Sequence, residues 1–234
     1  DTAQSLYEKK LITYPRTDSQ YLTEDMEQTA RNVVRQIYEK YQLTGPFDQP
    51  EQPDVKKVMN NSKVTDHHAI IPTMELTSCH MDELKSWEEK ILFLIAVHTV
   101  MAMSKDHIYQ ETEIEVECQG EVFKTKGKTV LQDGWKIFEN CFKNKDRMAI
   151  ADPDQEMKER IPKVTKGQTF YAVAAEKTEH FTSPPKPYSE DTLLAAMETA
   201  GNKEFDEDTE KKGLGTPATR AGIIEKLIYS QYAT

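Results

Sequence analysis

Apolar positions recur at helical spacing near the start of the chain, change to alternation in its middle, and return to helical spacing near its end. Ala3, Leu6, Tyr7, the Lys10 stem and Leu11 predict the tail of a helix over residues 3–11. Ile12 to Ser19 follows as a loop or short strand, because Pro15 pushes Tyr14 out of helical geometry. Thr23 is placed to cap the next helix, with Glu24 and Asp25 in its first turn. Met26, Ala30, Val33, Val34, Ile37 and Tyr41 form its one apolar face. Residues 43–61 are rich in Pro, Gln, Asp and Asn and read as a loop. Residues 64–73 are a short segment ending near Pro72. A long helix is predicted over 81–103, with Leu84, Trp87, Ile91, Leu94, Ile95, His98 and Met101 on one side.

At Ile108 the period becomes two. Ile108, Gln110, Thr112, Ile114, Val116 and Cys118 share one strand face. Residues 122–124, 129–131 and 169–175 predict further strands, with Gly120, Gly127 and Gly134 as punctuation, so a β-rich unit covers about 106–176. The polar stretch 143–166 interrupts it. Ser189 then caps a helix that stops at Gly201, residues 202–213 form a charged loop, and a last helix runs from Thr216-Pro217 to about Ile228. The Trp87 stripe reads as core and the acidic run 206–210 as solvated surface.

Composition narrows this picture. A chain of 234 residues with 37% hydrophobic positions has room for two or three modest units with real cores. No apolar run reaches the roughly 20 residues of a membrane span, and the start has neither the basic nor the apolar region of a signal peptide. It reads instead as beginning inside a helix. Cys79, Cys118 and Cys141 stand apart, without metal-ligand spacing, and read as reduced thiols of a cytosolic protein. The net charge of −10 argues against broad nucleic-acid binding, so any such contact must be local or rely on parts of the protein outside this sequence.

Three motifs carry candidate chemistry. In Thr13-Tyr14-Pro15-Arg16-Thr17-Asp18-Ser19, the Tyr14 phenolate suits attack on a phosphodiester, and Arg16 offers a fork of donors to its non-bridging oxygens. Residues two apart on extended chain point the same way, which lets both face one phosphate. The plain alternative is a surface turn with a packed tyrosine. In Asp66-His67-His68-Ala69-Ile70-Ile71-Pro72-Thr73, one histidine could donate to a phosphate oxygen or relay a proton; the alternative is an ordinary loop. In Gly213-Leu214-Gly215-Thr216-Pro217-Ala218-Thr219-Arg220, a helix N-terminus with Thr219 and Arg220 is a natural phosphate site, or simply a well-capped helix.

All three motifs, in this order, resemble those of type IA DNA topoisomerases. Leu11 to Ser19 resembles the family's active-site tyrosine motif. Asp66 to Thr73 resembles its second motif in the form typical of the topoisomerase III branch. Phe181-Thr-Ser-Pro-Pro-Lys-Pro-Tyr-Ser-Glu-Asp-Thr-Leu-Leu194, followed by Gly213 to Arg220, resembles the third. The resemblance implies a multidomain α+β fold: a helical domain (1–104) bearing Tyr14, a β-rich arch (105–176) on which it swings, and a truncated helical base (177–234). It implies that Tyr14 forms a 5′-phosphotyrosyl bond, that Arg16 holds the scissile phosphate, and that His67, rather than His68, is the active-site histidine. His68, Thr216, Thr219 and Arg220 would contact single-stranded DNA. The implied activity is ATP-independent strand cleavage, strand passage and religation in relaxation or decatenation, in a cytoplasmic, DNA-associated bacterial protein.

Two departures accompany it. The family's Toprim domain, with its acidic Mg²⁺ ligands, has no counterpart in this sequence, so a fragment that is inactive alone is expected, with Mg²⁺ a cofactor of the full-length enzyme only. Ser230-Gln231-Tyr232 stands where the family often has a basic Arg-Gly pair. The alternative reading is a non-catalytic helical nucleic-acid-binding module. A scaffold piece, suggested by the acidic balance, and a tyrosine recombinase, whose further arginines are not found, are weaker rivals.

Overall fold

The first helix, α1 (Thr2–Glu8), ends sooner than its apolar spacing suggests. Lys10 takes a left-handed conformation (φ 61°), and the Leu11 N–H donates back to the Leu6 carbonyl at 2.9 Å. This closure caps the helix and reverses the chain. Leu6 and Leu11 are both buried, which anchors the reversal in the core. In the computed structural model, residues 2–43, 53–64, 66–139, 164–171, 174, 176–201 and 213–233 are described.

The second helix, α2 (Glu27–Tyr41), follows a 3-10 turn at Glu24–Met26. Ala30, Val33, Val34 and Ile37 are its buried positions, and Met26 and Tyr41 pack at the margin, as the periodicity predicts. Thr23 occupies the predicted cap position, but its hydroxyl caps nothing. The first N–H of the turn, that of Glu24, donates to the Asn61 side-chain oxygen at 2.9 Å, so a distant residue satisfies it.

The third helix differs most from expectation. Residues 81–83 form a 3-10 turn, Leu84 and Lys85 are extended, and α3 runs only over Ser86–Ala102. Its buried residues are Glu88, Leu92, Ala96, Val97, Thr99 and Val100, whereas Trp87 is 72% exposed and His98 lies in solvent. Every position from Ile91 to Val97 is apolar, so the sequence marks no single face. Packing of α1 and α2 against α3 selects the face that is buried.

The period-two stretch forms a hairpin, β1 (Ile108–Cys118) with β2 (Glu121–Gln132), joined by a turn at Gln119 and Gly120. The strand passes through Gly127, which pairs with Thr112, so the two short strands expected here are one. One face carries Glu111, Glu113 and Glu115 opposite Lys128, Lys126 and Lys124 as cross-strand ion pairs. Ile114, Val116, Phe123 and Thr125 lie on the other face. Gly134 (φ 54°) lets the returning chain cross the outgoing one: a Cβ there would lie 2.2 Å from the Asp106 carbonyl oxygen. The Trp135 N–H donates to the Lys105 carbonyl at the same crossing, and Phe138 re-enters the core beside Tyr38. Residues 169–171 and 174, expected as strand, are in no strand among the described residues. The rest of that expected strand lies outside the described residues, as do the polar stretch 143–163 and the acidic run 206–210.

The chain divides into two compact units, Asp1–Thr165 and Lys166–Thr234. The second contains α4 (Glu190–Thr199) and α5 (Pro217–Tyr229). Ser189 caps α4, its hydroxyl accepting from the Thr192 N–H at 3.3 Å, and Gly201 ends it with a positive φ, as the sequence predicts. The fold is thus mixed helix and sheet, with a single two-stranded sheet among the described residues.

Candidate active site

Tyr14 and His67 come from two loops that are laced together. The Thr13 N–H donates to the Ile71 carbonyl at 3.0 Å, and the Thr73 N–H to the Leu11 carbonyl at 3.0 Å, giving a short antiparallel bridge at Ile12 and Pro72. The Thr13 hydroxyl accepts from the Ile71 N–H (3.0 Å) and donates to the Ala69 carbonyl (3.2 Å). Further along, the Thr17 hydroxyl donates to the His67 carbonyl at 2.9 Å, and the Ser19 hydroxyl to the Lys63 carbonyl at 2.9 Å. The Ala69 N–H closes the lattice on the Tyr21 carbonyl at 2.8 Å. The hydroxyls at 13, 17 and 19 therefore work as cross-links between loops. The sequence reading missed this, because a Ser or Thr in a loop gives no sign of its partner.

Within that frame the Tyr14 ring is half-buried and lies 4.3 Å from the His67 ring, centroid to centroid, at 44°. The Tyr7 ring meets Tyr14 edge-on at 5.4 Å. His67 and Arg16 are exposed. His68 is half-buried, with Nδ1 2.8 Å from the Ala69 carbonyl. Of the two adjacent histidines, His67 is thus the one in ring contact with Tyr14.

Helix α1 is held by a buried carboxylate that no motif announced. Glu88, 3% exposed in the first turn of α3, accepts from the Ser5 hydroxyl (2.6 Å), Lys9 Nζ (2.6 Å) and the Lys85 N–H (2.9 Å). The Lys9, Ser5 and Lys85 donors pull its carboxyl down to about 2. Burial pushes the Tyr38 phenol up to about 12.

In the second unit, Gly213 (φ 64°) packs against the end of α4, where a Cβ would lie 2.3 Å from the Met197 and Glu198 carbonyl oxygens. The Leu214 N–H donates to the Met197 carbonyl at 2.7 Å, which sets where α5 begins. Thr216 and Thr219 share a capping box, their hydroxyls 3.0 Å apart. Arg220 is 8% exposed, and its guanidinium donates to the carbonyls of Leu214 (2.9 Å) and Gly215 (3.2 Å). It braces the Gly213–Thr216 loop from within.

Cys79 and Cys118 are free thiols; Cys141 lies outside the described residues. Among the described residues, no group of three or more His, Cys, Asp or Glu side chains is placed to hold a metal ion. No described helix is long and apolar enough to cross a membrane.

The first unit thus brings a tyrosine beside a histidine on two cross-linked loops of a mixed helix-and-sheet chain. The chain belongs to the type IA DNA topoisomerase family, whose DNA topoisomerase model matches residues 1–234. It is 37% identical to DNA topoisomerase 3 of Bacillus licheniformis over 96% of this chain and 31% of that protein. With DNA topoisomerase 3 of Bacillus subtilis it shares 37% identity over 97% of the chain and 32% of the relative. With that of Haemophilus influenzae it shares 34% over the whole chain and 35% of the relative. The chain therefore spans about a third of the length of these curated relatives.

Proposed function

We propose that this chain carries the DNA-cleaving tyrosine of a type IA topoisomerase, with Tyr14 as the nucleophile. The observation that supports this most is the contact of Tyr14 with His67 on a cross-linked pair of loops, in a chain that matches the family model throughout. In this reading the Tyr14 phenolic oxygen attacks the scissile phosphorus. An O–P bond forms, the bond from phosphorus to the 3′ oxygen breaks, and the DNA is left with a 3′ hydroxyl and a 5′-phosphotyrosyl link. The phenol gives up its proton and the departing 3′ oxygen gains one. Religation reverses these steps, because the covalent link keeps the energy of the broken bond.

Arg16, exposed on the same loop, supplies charge-assisted donors to the non-bridging oxygens. His67 donates to one of them or passes the proton. His68, Thr216 and Thr219 contact the backbone of single-stranded DNA, and Arg220 serves that contact by shaping the loop whose carbonyls it holds. In the intact protein, residues 1–104 would form the tyrosine domain, 105–176 the arch and 177–234 part of the base. Mg²⁺ would be held by residues elsewhere in the polypeptide, and no step above runs through it.

The test uses the full-length protein that contains this chain, single-stranded DNA and Mg²⁺, with adducts trapped in denaturant. A covalent adduct at the 5′ end of the cut, absent in Tyr14→Phe while DNA binding persists, is expected. Binding without an adduct in the native protein would favour the non-catalytic nucleic-acid-binding module, and an adduct surviving in Tyr14→Phe would remove Tyr14 from the chemistry.

A further inference from the structure

The reaction proposed above gives Tyr7 no part, yet Tyr7 is one of the two rings that Tyr14 touches. The two tyrosines lie a short way apart in sequence and meet only because the chain reverses at Lys10. Helix α1, which carries Tyr7, is fixed independently of the tyrosine loop. Leu6, beside Tyr7, is fully buried. Ser5 and Lys9, which flank it on either side, both donate to the buried Glu88 carboxylate of α3 at 2.6 Å. These three neighbours fix the helix from which the Tyr7 ring projects, and the ring's edge-on contact limits where the Tyr14 ring can go.

We infer that Tyr7 is a positioning residue for Tyr14: through ring contact, with α1 pinned to Glu88 by Ser5 and Lys9, it holds the phenol in the orientation from which it attacks. This rests on the reading of Tyr14 as the nucleophile. A phenol on a loop otherwise samples rotamers that point its oxygen away from the phosphorus, and alignment of the reacting atoms strongly influences the rate. The contact acts through the face and edge of the ring, so the Tyr7 hydroxyl is dispensable. Tyr7 is 39% exposed, so its removal leaves the core of the first unit intact.

The experiment measures the single-turnover cleavage rate at saturating single-stranded DNA, the dissociation constant for that DNA, and thermal unfolding. It compares full-length native protein with its Tyr7→Phe, Tyr7→Leu, Tyr7→Ala and Tyr14→Phe variants. An edge-on aromatic pair corresponds to roughly a 3- to 10-fold effect. Tyr7→Ala and Tyr7→Leu should therefore slow cleavage by about that factor with DNA affinity unchanged, and Tyr7→Phe should cleave at the native rate. Native cleavage rates in Tyr7→Ala and Tyr7→Leu would overturn the inference. So would equal slowing in Tyr7→Phe, which would point to the hydroxyl, or a loss that follows weakened DNA affinity or lowered thermal stability. Cleavage that persists in Tyr14→Phe would instead overturn the underlying reading of the nucleophile, so the two failures are distinguishable.

Discussion

Lys9 Nζ lies 2.6 Å from the Glu88 carboxylate, whose side chain is 4% exposed while that of Lys9 is 39% exposed. The pair joins the end of α1 to the start of α3 and is only half withdrawn from water. Its value to the fold lies mainly in what Glu88 does for its three donors. With the carboxylate removed, the half-buried Ser5 hydroxyl and the Lys85 N–H lose their acceptor. Glu88→Ala should cost about 1.5–3 kcal/mol, the range for losing hydrogen bonds to a charged group, as read by chemical denaturation. Glu88→Gln, which keeps an acceptor, should cost less.

The same carboxylate makes stability depend on acidity. Its folded-state value, about 2, lies below its ordinary value of 4.5 because Lys9, Ser5 and the Lys85 N–H all favour the charged form. A depressed acid contributes stability that is fully present above the ordinary value and lost as pH falls toward the folded one. The native protein should therefore lose stability between about pH 4.5 and pH 2 more steeply than Glu88→Gln does. Parallel denaturation curves for the two proteins across that window would contradict this.

Two glycines of the second unit should respond in opposite directions to alanine. Gly213 has φ 64° and carbonyl oxygens 2.3 Å from the position of a Cβ. Gly213→Ala should destabilise by about 2–4 kcal/mol, combining backbone strain and steric clash. Gly222 lies within α5 with nothing within 4 Å of its Cβ position. Gly222→Ala should stabilise by about 0.5–1 kcal/mol. Hydrogen exchange at Leu214, whose N–H is bonded to Met197, would report the first change locally.

Lys10 takes a left-handed conformation at the end of α1 without being glycine. Lys10→Gly should stabilise the first unit by up to about 1 kcal/mol, because the capping geometry then carries no Cβ penalty. Thermal unfolding measures it.

His67 and His68 should separate in their effects on adduct formation by the full-length protein. His67 touches Tyr14, whereas Nδ1 of His68 faces the Ala69 carbonyl. His67→Ala should slow the covalent step by roughly 100-fold or more if it acts in proton transfer. His68→Ala should act mainly on DNA affinity. Equal slowing by both, in single-turnover measurements, would reject this division of labour.

Much of this was legible in the chain itself. The face of α2 followed from Ala30, Val33, Val34 and Ile37, because its other positions are polar and leave one choice. The strand from Ile108 to Cys118 followed from its alternation, the ends of α4 and the start of α5 from Ser189, Gly201 and Thr216-Pro217, and the family from three ordered motifs, whereas the returning strand was read as two short pieces. These are signals in which local chemistry and position in the sequence coincide. Tertiary structure decided the rest. The buried face of α3 was set by α1 and α2, since the unbroken apolar run from Ile91 to Val97 does not choose its own. The Thr23 hydroxyl caps nothing while the first N–H of the turn, that of Glu24, goes to Asn61, and residues 169–171 are in no strand. The contacts of Tyr14 with His67 and Tyr7, and the Glu88 anchor behind them, join residues whose pairing depends on where the loops cross. A sequence records which groups are available, whereas which of them meet is fixed only when the loops close and the core excludes water.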